Sequence, residues 1–180
     1  AAVDFVEMNR EEKHMMKTCE ALRQRMFALA GCDWTGEVCF KEGEELSLLM
    51  DGERLTVEAP DISAAARGLF LAACALRDGK DIPELHQTRH IASCGMMLDM
   101  SRGGVMTVEA VKGMIDAHAA LGLNLMMLYT EDTYTVPEAP YLGYLRGRYT
   151  EKELREMDDY AAESGVELVP CVQTLAHLEQ

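Results

Sequence analysis

The sequence is short of positive charge, of metal-ligand spacings and of long apolar runs. Lys and Arg number 17 against 31 Asp and Glu, a formal net charge of −14. Such a field repels a phosphate backbone and an anionic membrane surface, so neither nucleic acid nor membrane is an expected partner. No apolar run approaches the ~18 residues of a membrane-spanning helix, and the first residues do not read as a signal peptide. The six cysteines, Cys19, Cys32, Cys39, Cys74, Cys94 and Cys171, form no Cys-x-x-Cys pair. Reduced thiols in a cytoplasmic protein are the expected state, ahead of a disulfide framework or a zinc site. His14, His86, His90 and His118 share no ligand spacing, so no metal or other cofactor is expected. Gly-x-Gly-x-x-Gly is missing as well, which leaves a dinucleotide site unsupported.

What is present reads as a globular α/β chain. Its 180 residues are 48% hydrophobic and 27% charged, enough for a sizeable core. Val3 to Val6 reads as a short strand. Asn9 and Glu12 resemble a capping box, with Asn in place of Ser or Thr. Met15, Met16, Cys19, Leu22, Met26 and Leu29 then recur at helical spacing, and Gly31 stops the helix. Glu37 to Phe40 and Leu46 to Met50 read as strands. Asp51-Gly52 is a hairpin turn signal, and Arg54 to Ala59 is the returning strand. Pro60-Asp61 opens a helix from Ile62 to Leu76, apolar nearly all round and so expected to be buried. Residues 1–87 thus read as a small α/β sandwich domain. Residues 82–92 have no period and read as a connector.

The texture changes at Cys94. Met96-Met97-Leu98 is a short apolar run of the kind expected for a strand buried on both faces. A helix at 108–121 follows, capped by Thr107 and stopped by Gly122. Leu123 to Tyr129 is a second strand. Thr150-Glu151-Lys152-Glu153 is a full capping box for a helix running to Ser164, and Val166 to Val172 is a third strand. Strand–helix–strand–helix–strand favours a parallel sheet. Both a doubly wound sheet and a (β/α)8 barrel complete such a pattern. A barrel needs about 250 residues, so residues 88–180 would hold its first three β/α units and be incomplete.

Parallel α/β sheets bind ligands at the carboxyl ends of their strands. Those ends carry Asp99, Ser101 and Arg102, then Glu131 and Asp132, then Gln173, Thr174 and His177. The opposite ends, at Cys94, Leu123 and Val166, carry no such set. Between the second strand and the next helix lies a loop of about 20 residues, longer than most. Tyr129, Tyr134, Tyr141, Tyr144 and Tyr149 belong to it or border it. Tyrosines stack on sugar faces and hydrogen-bond sugar oxygens, and they equally anchor loops, so both readings stand. Each polar residue has a plain alternative too: Arg102 pairing with Asp99 or Glu109, Asp132 capping the loop, His177 satisfied within it.

Gly95-Met96-Met97-Leu98-Asp99-Met100-Ser101-Arg102 and Leu123-Asn124, followed by Tyr129-Thr130-Glu131-Asp132, resemble the first two strands of the family 20 glycoside hydrolases, the β-N-acetylhexosaminidases. Pro140-Tyr141 and Arg146-Gly147-Arg148-Tyr149 are similar to the bacterial branch of that family, and Leu175-Ala176-His177 to its third-strand segment. Cys94 stands where the family usually has Arg. The resemblance implies a small α/β domain before a TIM-type barrel. It implies that Arg102 binds hydroxyls of the terminal sugar, with Asp132 and Tyr134 beside it, and that Asp132 and His177 support the catalytic acid. The family's catalytic Asp-Glu pair has no match here, so no catalytic residue is expected in this chain. The implied parent is an exo-acting hydrolase of glycans ending in N-acetylglucosamine or N-acetylgalactosamine, using the substrate's own acetamido group. The chain alone is expected to be inactive. A non-catalytic glycan-binding or assembly fragment and another barrel hydrolase remain as alternatives. Unpaired strand edges also lead to the expectation of a homodimer or of pairing with missing strands.

Overall fold

A computed structural model describes residues 10–173. The expected strand at Val3 to Val6, the Asn9 cap, Thr174 and His177 lie outside them. Helix α1 (Arg10–Ala30) turns Leu22, Met26 and Ala30 inward at four-residue spacing, with Phe27 beside them. Leu29, expected in that stripe, lies off this line and is exposed. Gly31 ends the helix in the left-handed conformation.

Three strands follow: β1 (Glu37–Glu42), β2 (Leu46–Asp51) and β3 (Arg54–Ala59). β2 and β3 form the expected hairpin, in a register that pairs Asp51 with Arg54. β1 lies parallel to β3 on its other side. The connector is not featureless: His86–Gln87 forms a two-residue strand, β4, against β2. The sheet order is β1-β3-β2-β4. Leu46, Leu55 and Val57 point from this sheet into the core. Helix α2 (Ile62–Arg77) starts where the Asp61 carboxylate accepts from the Ala64 N–H at 2.8 Å. Its small residues let it sit between α1 and the second half of the molecule, with Ala66, Leu69, Ala72 and Ala73 wholly buried.

The second sheet is parallel, in the order β5 (Gly95–Asp99), β6 (Leu125–Tyr129), β7 (Glu167–Cys171). Helix α3 (Val108–Leu121) connects the first two strands, and α4 (Glu151–Ala162) the last two. Thr107 caps α3, Gly122 ends it at φ 72°, and Thr150 with Glu153 forms the full capping box of α4. Gly95 is needed where it stands, because a Cβ there would lie 1.7 Å from the Leu125 carbonyl oxygen.

One expectation fails at β5. It is not buried on both faces: Met96 and Met97 are 46% and 53% exposed. β5 is an edge strand among the described residues, so its apolar run lacks the neighbour that would cover it. Met97, Met127 and Val169 stand in one cross-strand row and none is buried. On the opposite face of central strand β6, Met126 and Leu128 are buried.

The two halves are joined by polar as well as apolar contacts. Arg25 of α1 donates to Asp116 of α3, at 2.8 Å from Nε, and to the Ser164 hydroxyl at 2.6 Å. Its guanidinium also lies 3.6 Å from the Tyr160 ring centroid. The Tyr160 hydroxyl donates to Asp116 at 3.0 Å, and burial pushes that phenol up to about 12.

Candidate functional site

The strand register brings the candidate residues together. Asp99 at the end of β5 is level with Tyr129 of β6, which is level with Cys171 of β7. The chain after Asp99 turns at once. The Ser101 backbone N–H and hydroxyl each donate to Asp99 Oδ1 at 2.8 Å. These two bonds, the backbone one foremost, hold the Asp99 carboxyl below its ordinary value. Asp99 is thereby a structural carboxylate that shapes the turn, and the turn delivers Arg102. The Arg102 side chain is 67% exposed, with Nε 3.7 Å from Asp99 Oδ2. This is an ion pair, as the plain alternative for Arg102 expects, though too long for a strong hydrogen bond.

At the end of β6 a compact set of charged groups forms. The Tyr129 hydroxyl donates to Glu131 Oε1 at 3.1 Å. Burial raises the Tyr129 phenol, the neighbouring Glu131 carboxylate adds to this, and the Arg102 guanidinium acts the other way. Glu131 is buried and has φ of 49°, an uncommon conformation for a residue with a side chain. Asp132 turns its side chain to a residue of the same loop. It pairs with Arg146, whose Nη1 lies 2.6 Å from Asp132 Oδ1 and 3.8 Å from Glu131 Oε2.

The long loop is held by its own bonds. The Thr133 hydroxyl donates to the Thr130 carbonyl at 2.8 Å. The Tyr134 and Tyr149 backbones form an isolated parallel bridge, through Thr135 N to Tyr149 O at 2.9 Å and Tyr149 N to Thr133 O at 3.1 Å. Tyr149 is buried, and its hydroxyl donates to the Met106 carbonyl. Tyr149 is thus a loop anchor, as one of the two readings of the tyrosines requires. Tyr134 is half-buried in the bridge.

The structure therefore unites Asp99, Arg102, Tyr129, Glu131, Asp132 and Arg146 at the carboxyl ends of β5 and β6. Sequence reasoning weighed Tyr129 only as one of the loop tyrosines and gave Arg146 no role of its own. The signal for Tyr129 was its position, the last residue of a parallel strand beside Asp99. Arg146 stood in a segment of the resemblance, but its pairing with Asp132 carried no signal, because a loop fold of this length is not encoded in a spacing. Among the described residues no group of three or more acidic, Cys or His side chains could hold a metal ion.

No protein-family model and no curated protein matches the sequence. Solved structures do match its fold. A family 20 β-N-acetylglucosaminidase is similar over 86% of this chain, with 25% identity and a TM-score of 0.66. The N-acetyl-β-hexosaminidase of Streptomyces plicatus is similar over 94% of the chain, with 20% identity and a TM-score of 0.67. The exo-β-N-acetylglucosaminidase of Vibrio harveyi, solved with N-acetylglucosamine, is similar over 87%, with 18% identity and a TM-score of 0.63. The chain spans 36%, 41% and 31% of these three proteins respectively. The resemblance extends to the fold, which is similar to a portion of these family 20 glycoside hydrolases.

Proposed function

We propose that this chain is the sugar-gripping part of an exo-β-N-acetylhexosaminidase. In this reading residues 1–87 form the domain that precedes the barrel, and residues 88–180 supply its first three β/α units. Further strands would then cover the open row of Met97, Met127 and Val169. The observation that carries the reading is the exposed Arg102 at a strand end, beside Tyr129 and the Glu131–Asp132–Arg146 set, in a fold shared with family 20 enzymes.

The chemistry follows from the groups. A guanidinium offers several donors in a fixed fork and suits vicinal hydroxyls of a terminal sugar. Each charge-assisted bond contributes about 1.5–3 kcal/mol. In the substrate-assisted mechanism the 2-acetamido oxygen attacks the anomeric carbon, a carboxylate orients that amide, and a carboxylic acid protonates the leaving oxygen. The last two groups would come from an Asp-Glu pair that this sequence does not contain. Asp132, with His177, would support the acid, and Arg146 fixes where Asp132 stands. Tyr134 would border the sugar. The chain by itself would hold sugar without cleaving it.

The test is hydrolysis of a chromogenic N-acetyl-β-glucosaminide by the full-length polypeptide that carries this chain. Turnover is expected there, none in the isolated chain, and a loss of at least tenfold in kcat/KM on Arg102→Ala. Absence of turnover by the folded full-length protein would sink the proposal.

A further inference from the structure

Among the described residues only two that are not glycine have a left-handed backbone, Glu131 at φ 49° and Leu145 at φ 62°. A side chain crowds the backbone in that region, so such residues persist where their surroundings hold them there. Each of the two stands directly before one member of the same ion pair. Asp132 follows Glu131, and Arg146 follows Leu145. Packing does little to offset the conformation of Leu145, which is 88% exposed at a loop tip that also leaves Tyr141 and Tyr144 in water.

What the two turns achieve is the meeting of Arg146 with Asp132. Arg146 Nη1 donates to Asp132 Oδ1 at 2.6 Å and faces Glu131 Oε2 at 3.8 Å, so one guanidinium serves two consecutive carboxylates. The Asp132 side chain is only 18% exposed. A carboxylate drawn from water in a chain of net charge −14 calls for such a cation. The approach of Arg146 is fixed by the loop itself. The Arg146 N–H donates to the Gly143 carbonyl at 3.0 Å, and Arg148 Nη1 donates to the carbonyls of Pro140 at 3.0 Å and Leu142 at 2.8 Å. Gly143, at φ 62°, lies so close to the loop base that a Cβ there would be 2.2 Å from the Asp132 carbonyl oxygen. Among the described residues nothing donates to the second carboxylate oxygen of Asp132, Oδ2.

We propose that Arg146 is a positioning residue for hydrolysis: it anchors Asp132 by Oδ1 and leaves Oδ2, in a fixed orientation, to the groups that support the catalytic acid. This rests on the hexosaminidase reading, in which Asp132 has that supporting role. A guanidinium suits the task because its planar fork sets direction as well as charge. Without it the Asp132 carboxylate can rotate, and a misplaced supporting group slows the chemical step without weakening the hold on the sugar. The left-handed turns at Glu131 and Leu145 are then the strained backbone through which the loop delivers the pair.

The test uses the full-length polypeptide that carries this chain and a chromogenic N-acetyl-β-glucosaminide. Arg146→Ala is expected to lower kcat roughly 10–100-fold, the scale of a misplaced group, and to leave KM within about twofold. Guanidinium chloride at about 20 mM, far below a denaturing concentration, should restore part of the loss where sodium chloride does not. Arg146→Lys should fall between Ala and the unmodified protein, because an ammonium supplies the charge without the fork. In an Asp132→Asn background Arg146→Ala should cost little more, since its effect runs through Asp132. Full kcat in Arg146→Ala, a loss that neither guanidinium nor lysine reduces, or losses that add in the double variant overturn the inference and leave the hexosaminidase reading standing. Absence of turnover by the unmodified protein overturns both.

Discussion

The two halves of this chain use their sheets differently. In the first, β2 and β3 present Leu46, Leu55 and Val57 to helices α1 and α2. In the second, central strand β6 buries Met126 and Leu128 against the helices, while the opposite row of Met97, Met127 and Val169 stays open and the strand ends carry charge. The first half has the makings of a scaffold. The second has the makings of a site, because uncovered strand ends are where a parallel sheet can offer side chains to a ligand.

The largest break of this contrast is expected from Gly95→Ala. The new Cβ would stand against the Leu125 backbone, and overpacking at backbone costs about 3 kcal/mol or more. Hydrogen exchange should lose protection in β5 and β6 while β2 and β3 keep theirs. Loss of protection in both sheets together would mean that the halves unfold as one unit.

Arg25→Met tests the joint between them. It removes the partner of a half-buried Asp116 and the ion held over Tyr160. A loss of about 2 kcal/mol in a urea titration is expected, below the 3–5 kcal/mol of a fully buried pair because both side chains retain some water. The Tyr160 phenol offers a second readout. Burial dominates its rise, with Arg25 opposing, so its titration should move further upward in the variant.

Arg102→Ala should do the reverse of these. An exposed side chain contributes little to stability, so the melting temperature should hold within about 1 °C. Sugar affinity should fall roughly 10–100-fold, the equivalent of one to two charge-assisted bonds. Equal losses of stability and affinity would recast Arg102 as a structural residue.

The smallest effect is expected at Asp99. Its folded value lies below the ordinary carboxylate value because Ser101 donates to it. The stability it adds is therefore present above about pH 4 and is lost as the pH falls through the folded value. Asp99→Asn should lower stability slightly at neutral pH, where the ionised carboxylate contributes, and leave it almost unchanged below the folded value, so that the acid side of the profile flattens.

Much of the scaffold was legible in the sequence for local reasons. Asp51-Gly52, Thr107, Gly122 and the Thr150–Glu153 box act within a few residues, and each stands where its chemistry demands. The parallel pairing of β1 with β3 and the strand at His86–Gln87 were not legible, because both depend on distant partners. The β5 expectation failed for a related reason. An apolar run shows what a strand can bury, and the neighbours decide what it does bury. In the site, Asp99, Arg102 and Asp132 were legible as strand-end residues. The pairing of Arg146 with Asp132 and the exposure of Tyr141 and Tyr144 were not, since a loop's path is set by contacts such as Gly143 on Asp132.

The most direct measurement is a titration of the isotopically labelled chain with N-acetylglucosamine, followed by amide NMR. Saturable shifts are expected at Asp99, Arg102, Tyr129 and Asp132, abolished by Arg102→Ala, with the amides of β1 to β3 unmoved. Shifts that stay absent at millimolar sugar, or that gather around the first sheet instead, would contradict the proposed function.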